Sequence, residues 1–274
     1  MSLSVGHIAY ANCLPFFHFL RESGFNGTII DGVPSELNRM LASGEVDICP
    51  SSSIEYAKHP SDYLILPGQS ISSIGSVESV LLFSSRPLSE LNGVPIAITG
   101  ESATSVALLQ ILLKEFIRLD EVICRVPDVS VEDAIARGEP ALLIGDRALK
   151  MGGARLHEKA LDLGALWHHF TGLPFVFALW TVRKDVAQRC SPDVAHFVEQ
   201  LNVSRARAFR ELNVVVNSCN EVSWMGTERL KKYLQSVSYD LDAQHLEGLA
   251  CFYALLEKYG YIESVPELEF VLND

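Results

Sequence analysis

Four short polar clusters stand where an apolar run gives way to a helical pattern: Tyr10 with Asn12, Ser51-Ser52-Ser53, Ser102 with Thr104 and Ser105, and Gly145-Asp146. Hydroxyls and an amide at such junctions suit a ligand carrying carboxylates, because the first turn of the next helix adds its own unpaired N–H groups. In an open α/β sheet, ligands bind outside the carboxyl ends of the strands. The competing reading is that these residues only cap helices. Taken singly, each cluster reads as a cap; four at equivalent positions point to a cleft. Gly75-Ser76-Val77-Glu78-Ser79-Val80 introduces a further strand, and Ser79 either faces that cleft or satisfies a local turn.

The common catalytic signatures are missing. The chain has no G-x-S-x-G elbow, no P-loop, no strand-linked G-x-G-x-x-G and no H-E-x-x-H. His168 and His169 are adjacent, so they do not share a helical face as metal ligands and read as a surface pair beside Trp167. His7 lies in the first strand and reads as a core histidine before a cleft donor. Thr171-Gly172-Leu173-Pro174-Phe175-Val176-Phe177-Ala178-Leu179-Trp180 is a tight turn followed by aromatics. It is either a core strand after a turn or an apolar wall for a flat ring.

The elements that must position these groups repeat. Residues 37–48 form an amphipathic turn, a Gly44-Glu45 stop and an apolar strand, and residues 131–144 repeat that plan with Gly138-Glu139. Gly is the natural left-handed residue that ends a helix. Ser51–Ser53 and Gly145-Asp146 then follow the two strands. Further strands are expected at Val5–Tyr10, Thr28–Ile30, Val80–Phe83, Val94–Thr99 and Val122–Val126, with a strong helix over Val106–Phe116. Ser52 and Glu55 have capping-box spacing. Beyond Lys184 helices dominate, and the last is capped by Asp242. Crossovers near Ser84–Pro87 and Thr181–Lys184 predict one discontinuous lobe, residues 1–84 and 183–274, and one inserted lobe, residues 85–182. Strands alternating with helices give an α/β fold.

The 274 residues are enough for two lobes with their own cores. A net charge of −12 argues against nucleic acid or an anionic membrane as partner, while leaving a small anion possible in a cleft. The six cysteines are scattered without a C-x-x-C pair, which fits free thiols in a reducing compartment. The N-terminus shows no basic and apolar leader, and no stretch approaches the ~20 apolar residues of a membrane span, so a cytoplasmic location is expected. No oligomeric state is read from the sequence.

Gly6-His7-Ile8, Asn12-Cys13-Leu14-Pro15, Ser79, Ser102-Ala103-Thr104-Ser105, Leu143–Leu149 and Thr171–Trp180 together resemble the chorismate dehydratase family of the futalosine-dependent route to menaquinone. The resemblance runs in order from Gly6 to about Lys184. It implies a two-lobed, type II periplasmic-binding-protein-like fold with a ligand cleft between the lobes. It implies a hydro-lyase that converts chorismate to 3-[(1-carboxyvinyl)oxy]benzoate and water, with no metal or organic cofactor. The family's cleft Asn and Ser fall on Asn12 and Ser79, expected to be catalytic. Ser52, Ser102, Thr104, Ser105, Gly145 and Asp146 are expected to bind substrate. Competing readings are the 1,4-dihydroxy-6-naphthoate synthase of the same pathway, a non-catalytic small-anion binding protein and the effector domain of a transcription regulator.

Overall fold

The computed structural model describes residues 2–153 and 160–271. Its strands, in chain order, are β1 (Ser4–Ile8), β2 (Thr28–Gly32), β3 (Ile48–Ser52), β4 (Tyr63–Ser73), β5 (Val80–Phe83), β6 (Pro95–Ile98), β7 (Ile123–Arg125), β8 (Ala141–Ile144), β9 (Ala160–Asp162), β10 (Phe175–Arg183) and β11 (Val237–Ser238). They form a six-stranded sheet, β11-β4-β10-β3-β1-β2, and a five-stranded sheet, β7-β6-β8-β5-β9. The chain divides into two compact units: Met1–Ile71, Ala178–Leu241 and Pro266–Asp274 in the first, Ser72–Phe177 and Asp242–Val265 in the second.

In the first unit β1 runs parallel to both β2 and β3, and β10 runs antiparallel to β3. The Pro34–Ser43 helix starts with Pro in its first turn and Glu36 beside its positive end, and it buries Leu37 and Leu41. It stops at Gly44, whose φ of 82° closes the last turn. The Ser191–Arg210 helix buries Val194, Phe197, Val198 and Leu201. Phe16 lies fully buried, edge-on to Trp180 at 5.2 Å and to Tyr239 at 5.4 Å.

In the second unit β6 is parallel to β7 and β8, and β5 is antiparallel to β8 and β9. Ser130 caps the Val131–Ala136 helix by accepting from the Asp133 amide. Gly138, with φ of 80°, then turns the chain into β8. The helix-Gly-Glu-strand plan read from the sequence is therefore built once in each unit. Asp242 caps the Ala243–Lys258 helix, which buries Leu249, Phe252, Tyr253 and Leu256. Phe252 meets Phe175 and Trp167 in the core.

The unit borders differ from the expected 84/85 and 182/183. β4 runs unbroken for eleven residues, Tyr63–Ser73, with Gly68 at φ of 71°. The first crossover thus falls inside β4, at Ile71/Ser72. The Ala243–Lys258 helix joins the second unit because its Phe252 face packs on the Trp167–Phe175 cluster. The Ser52–Glu55 capping box does not form: Ser52 precedes the Ser53–Lys58 helix without a side-chain cap bond.

Candidate active site

In the first unit, Asn12 sits in the Ala11–Cys13 turn of 3-10 helix that follows β1. Two residues later the chain enters the Leu14–Phe17 helix, held by the Ser204 hydroxyl donating to the Phe16 carbonyl at 2.7 Å. Packing of the Phe16 ring fixes the segment that carries Asn12. The Asn12 Oδ1 atom is buried and accepts no hydrogen bond among the described residues. A buried amide oxygen without a donor costs about 1–3 kcal/mol, so it is poised for a ligand or a water.

Ser52 lies at the end of β3, beside β1, so Asn12 and Ser52 follow the carboxyl ends of two neighbouring parallel strands. Both hydroxyls of the Ser51-Ser52 pair are engaged by Asn38. Ser51 donates to Asn38 Oδ1 at 2.9 Å, and Asn38 Nδ2 donates to Ser52 Oγ at 2.8 Å. Asn38 is itself 7% exposed. It was not anticipated, because in sequence it is one polar residue on an amphipathic helix. His7 is not a core histidine: its Nδ1 meets Asp31 Oδ1 at 2.7 Å and its ring lies against Phe17.

In the second unit Ser79 is buried at the foot of β5, and among the described residues its hydroxyl reaches only the Val77 carbonyl, at 3.3 Å. Its own carbonyl accepts from the Gly145 amide at 2.8 Å. Gly145 has φ of 57° and opens the Gly145–Gly153 helix, so Ser79, Gly145 and Asp146 are brought together where β8 ends and β5 begins. β6 lies parallel beside β8, and its carboxyl end leads to Ser102. Ser102 caps the Ala103–Ile111 helix, accepting from the Ser105 amide at 3.2 Å and donating to Ser105 Oγ at 3.1 Å. Thr104 and Ser105 are buried. For Ser102 the capping reading is correct, and it stands at a strand-end position as well.

Arg147 ties these two strand ends. It makes a two-pronged contact with Glu132 at 2.6 and 2.8 Å and reaches Glu101, beside Ser102, at 3.0 Å. The hydrogen bond from Arg147 holds the Glu132 carboxyl below its ordinary range, against the opposing effect of burial. Ahead of Ser79, Glu78 takes φ of 59°, a left-handed backbone that costs a non-glycine residue roughly 1–2 kcal/mol. Asp162 caps the Leu163–Thr171 helix and accepts from the amides of Val77 and Glu78 and from the Ser76 hydroxyl. Neither Arg147 nor Asp162 was read as functional from the sequence; Asp162 lies 84–86 residues beyond the turn it holds.

The Thr171–Trp180 segment is a core strand after a turn. Thr171 Oγ1 accepts from the Leu173 amide, and the Trp167 indole N–H donates to the Pro174 carbonyl at 3.1 Å. Phe175 is buried against Trp167, Phe177 and Phe252. His168 is half-buried, its Nδ1 at 3.3 Å from the Leu173 carbonyl, while His169 is exposed. Among the described residues no three His, Cys, Asp or Glu side chains gather as a metal would require, and no helix is long and apolar enough to cross a membrane.

A family profile described as menaquinone biosynthesis matches residues 3–258. The chain belongs to the menaquinone biosynthesis family. Within this family it is 36% identical over 260 residues to the chorismate dehydratase of Thermus thermophilus, covering 89% of this chain and 91% of that one. It is 25% identical over 251 residues to the 1,4-dihydroxy-6-naphtoate synthase of the same organism, covering 86% and 85%. Among solved structures, protein AF1704 of Archaeoglobus fulgidus superposes with a TM-score of 0.76 at 19% identity, over 95% of this chain and 98% of that one. The Candida albicans CA3427 product, described as having the generic periplasmic binding protein fold, superposes with a TM-score of 0.70 at 12% identity, over 100% and 98%. The family member described here shares that α/β fold.

Proposed function

We propose that this protein is a chorismate dehydratase, a hydro-lyase that converts chorismate to 3-[(1-carboxyvinyl)oxy]benzoate and water in menaquinone biosynthesis. The observation that carries the reading is 36% identity to the Thermus thermophilus chorismate dehydratase along nearly the whole of both chains. The naphthoate synthase of that organism is matched at 25%, which makes it the second reading.

The reaction asks little of a catalyst beyond positioning. The ring carbon bearing the enolpyruvyl ether loses a proton, and its C–H electrons become a ring double bond. The neighbouring C–O bond breaks, and hydroxide and proton leave as water. Aromatisation drives the step, so the protein holds the substrate and stabilises developing charge. In this reading Ser79 and Asn12 touch the substrate and hydrogen-bond its ring carboxylate or the departing hydroxyl. The weakly engaged Ser79 hydroxyl can donate to the carboxylate, and the open Asn12 Oδ1, an acceptor, can take a hydrogen bond from the substrate's hydroxyl; both support that role. Ser52, Ser102, Thr104, Ser105, Gly145 and Asp146 complete the binding groups. The substrate's own enolpyruvyl carboxylate accepts the ring proton. A chorismate analogue lacking that carboxylate should not eliminate water; undiminished elimination contradicts the substrate-assisted step.

The reading includes a cytoplasmic location, which cell fractionation checks. To separate the two enzyme readings, chorismate and the larger naphthoate-synthase substrate are offered in parallel to the purified protein. Turnover of chorismate alone is the expected outcome, and turnover of the larger substrate alone transfers the assignment to the synthase.

A further inference from the structure

We propose that Asp162 is a positioning residue for Ser79: its carboxylate holds the Ser76–Glu78 turn, in which Glu78 is left-handed, and so aims the Ser79 hydroxyl. The inference rests on the reading of Ser79 as a residue that touches substrate.

Four groups converge on this one carboxylate. Oδ2 accepts from Ser76 Oγ at 2.6 Å, from the Glu78 amide at 2.7 Å and from the Val77 amide at 3.0 Å. Oδ1 accepts from the Ala165 amide at 3.0 Å and shares the Val77 amide at 3.1 Å. Capping the Leu163–Thr171 helix needs only the Ala165 contact. The other three contacts serve a turn far away in sequence, and they fall on the residues immediately before Ser79.

That turn needs holding. Glu78 has φ of 59°, a region that glycine enters freely and glutamate does not. Strained backbone persists where its surroundings over-determine it, and it concentrates where a side chain must be aimed. Here two successive amides are drawn to one oxygen, which fixes Val77 and Glu78 and delivers Ser79 to the start of β5. On its other side Ser79 is fixed by the Gly145 amide on its carbonyl. The backbone of Ser79 is thus held from both directions, while among the described residues its hydroxyl has only the long contact to Val77.

Asp162→Ser keeps a capping oxygen for the Ala165 amide but is too short to reach the turn. On chorismate it should lower kcat by about 10²-fold, the cost of misplacing a reacting group by around 1 Å, with KM and melting temperature nearly unchanged. Glu78→Gly, which takes the left-handed conformation without help, should restore most of that kcat in the Asp162→Ser background. Wild-type kcat in Asp162→Ser, or no recovery in the double variant, overturns the proposal. If Asp162→Ser does not fold, Ser76→Ala is read instead: it removes only an exposed hydroxyl's contact, a lowered kcat at unchanged KM is expected, and an unchanged kcat overturns the proposal. A wild-type protein inert to chorismate removes the functional reading instead. Amide hydrogen exchange then tests the positioning separately. Faster exchange at Val77–Val80 in the folded variant, with the 163–171 helix unchanged, is expected, and unchanged exchange contradicts the proposal.

Discussion

The amide of Gly145 donates to the carbonyl of Ser79 at 2.8 Å. Antiparallel pairing continues from this contact through Val80 and Ile144, so the bond sets the register of β5 on β8 at its first step. Two residues 66 positions apart in sequence become neighbours at one end of the central β8–β5 pair. Because Arg147 of the Gly145–Gly153 helix reaches Glu101, the Ser102 cap is tied to that strand end too.

Ser79→Ala and Asn12→Ala should each lower turnover of chorismate by about 10²-fold or more, the usual cost of removing one positioned hydrogen-bonding group. Neither change should unfold the protein, since Ser79 Oγ has one long contact and Asn12 Oδ1 has none among the described residues. Steady-state rates and thermal melts on the same preparations check both halves of the expectation.

Asn38→Ala should destabilise the first unit by about 1–3 kcal/mol, because it strips partners from the buried Ser51 and Ser52 hydroxyls. Urea unfolding gives this directly. Since Ser52 loses its orientation, KM for chorismate should rise in the same variant.

Acid should weaken the second unit through Glu132. Its folded carboxyl titrates below the ordinary glutamate value of 4.5, chiefly because Arg147 hydrogen-bonds it. The unfolded chain therefore binds the proton first, and the contribution is complete above that value and lost as pH falls through the lowered one. Thermal melts between neutral pH and pH 3 should show this loss, and Arg147→Met should flatten that part of the profile.

Phe175→Ala should cost about 3–5 kcal/mol, as expected for emptying an aromatic site in a packed core. A far smaller loss in denaturant unfolding would return the Phe175 ring to the alternative role of a ligand wall.

Local signals were legible in the chain and distant ones were not. Gly44 and Gly138 announced two helix stops because the left-handed turn is a property of one residue. Ser79, Ser102 and Gly145 could be placed at strand ends from the pattern around them. Asn38 and Asp162 could not, because their partners are reached through the tertiary fold: 13–14 residues away for Asn38, about 85 for Asp162. Residues 242–265 looked like a C-terminal addition to the first unit. The Phe252 contacts with Trp167 and Phe175 show which core they complete.

The most direct test of the central claim is to incubate the purified protein with chorismate and follow absorbance and mass together. Wild type should give a new aromatic absorbance and a product lighter than chorismate by one water, both nearly abolished in Ser79→Ala. Chorismate recovered unchanged, or bound without conversion, would contradict the claim.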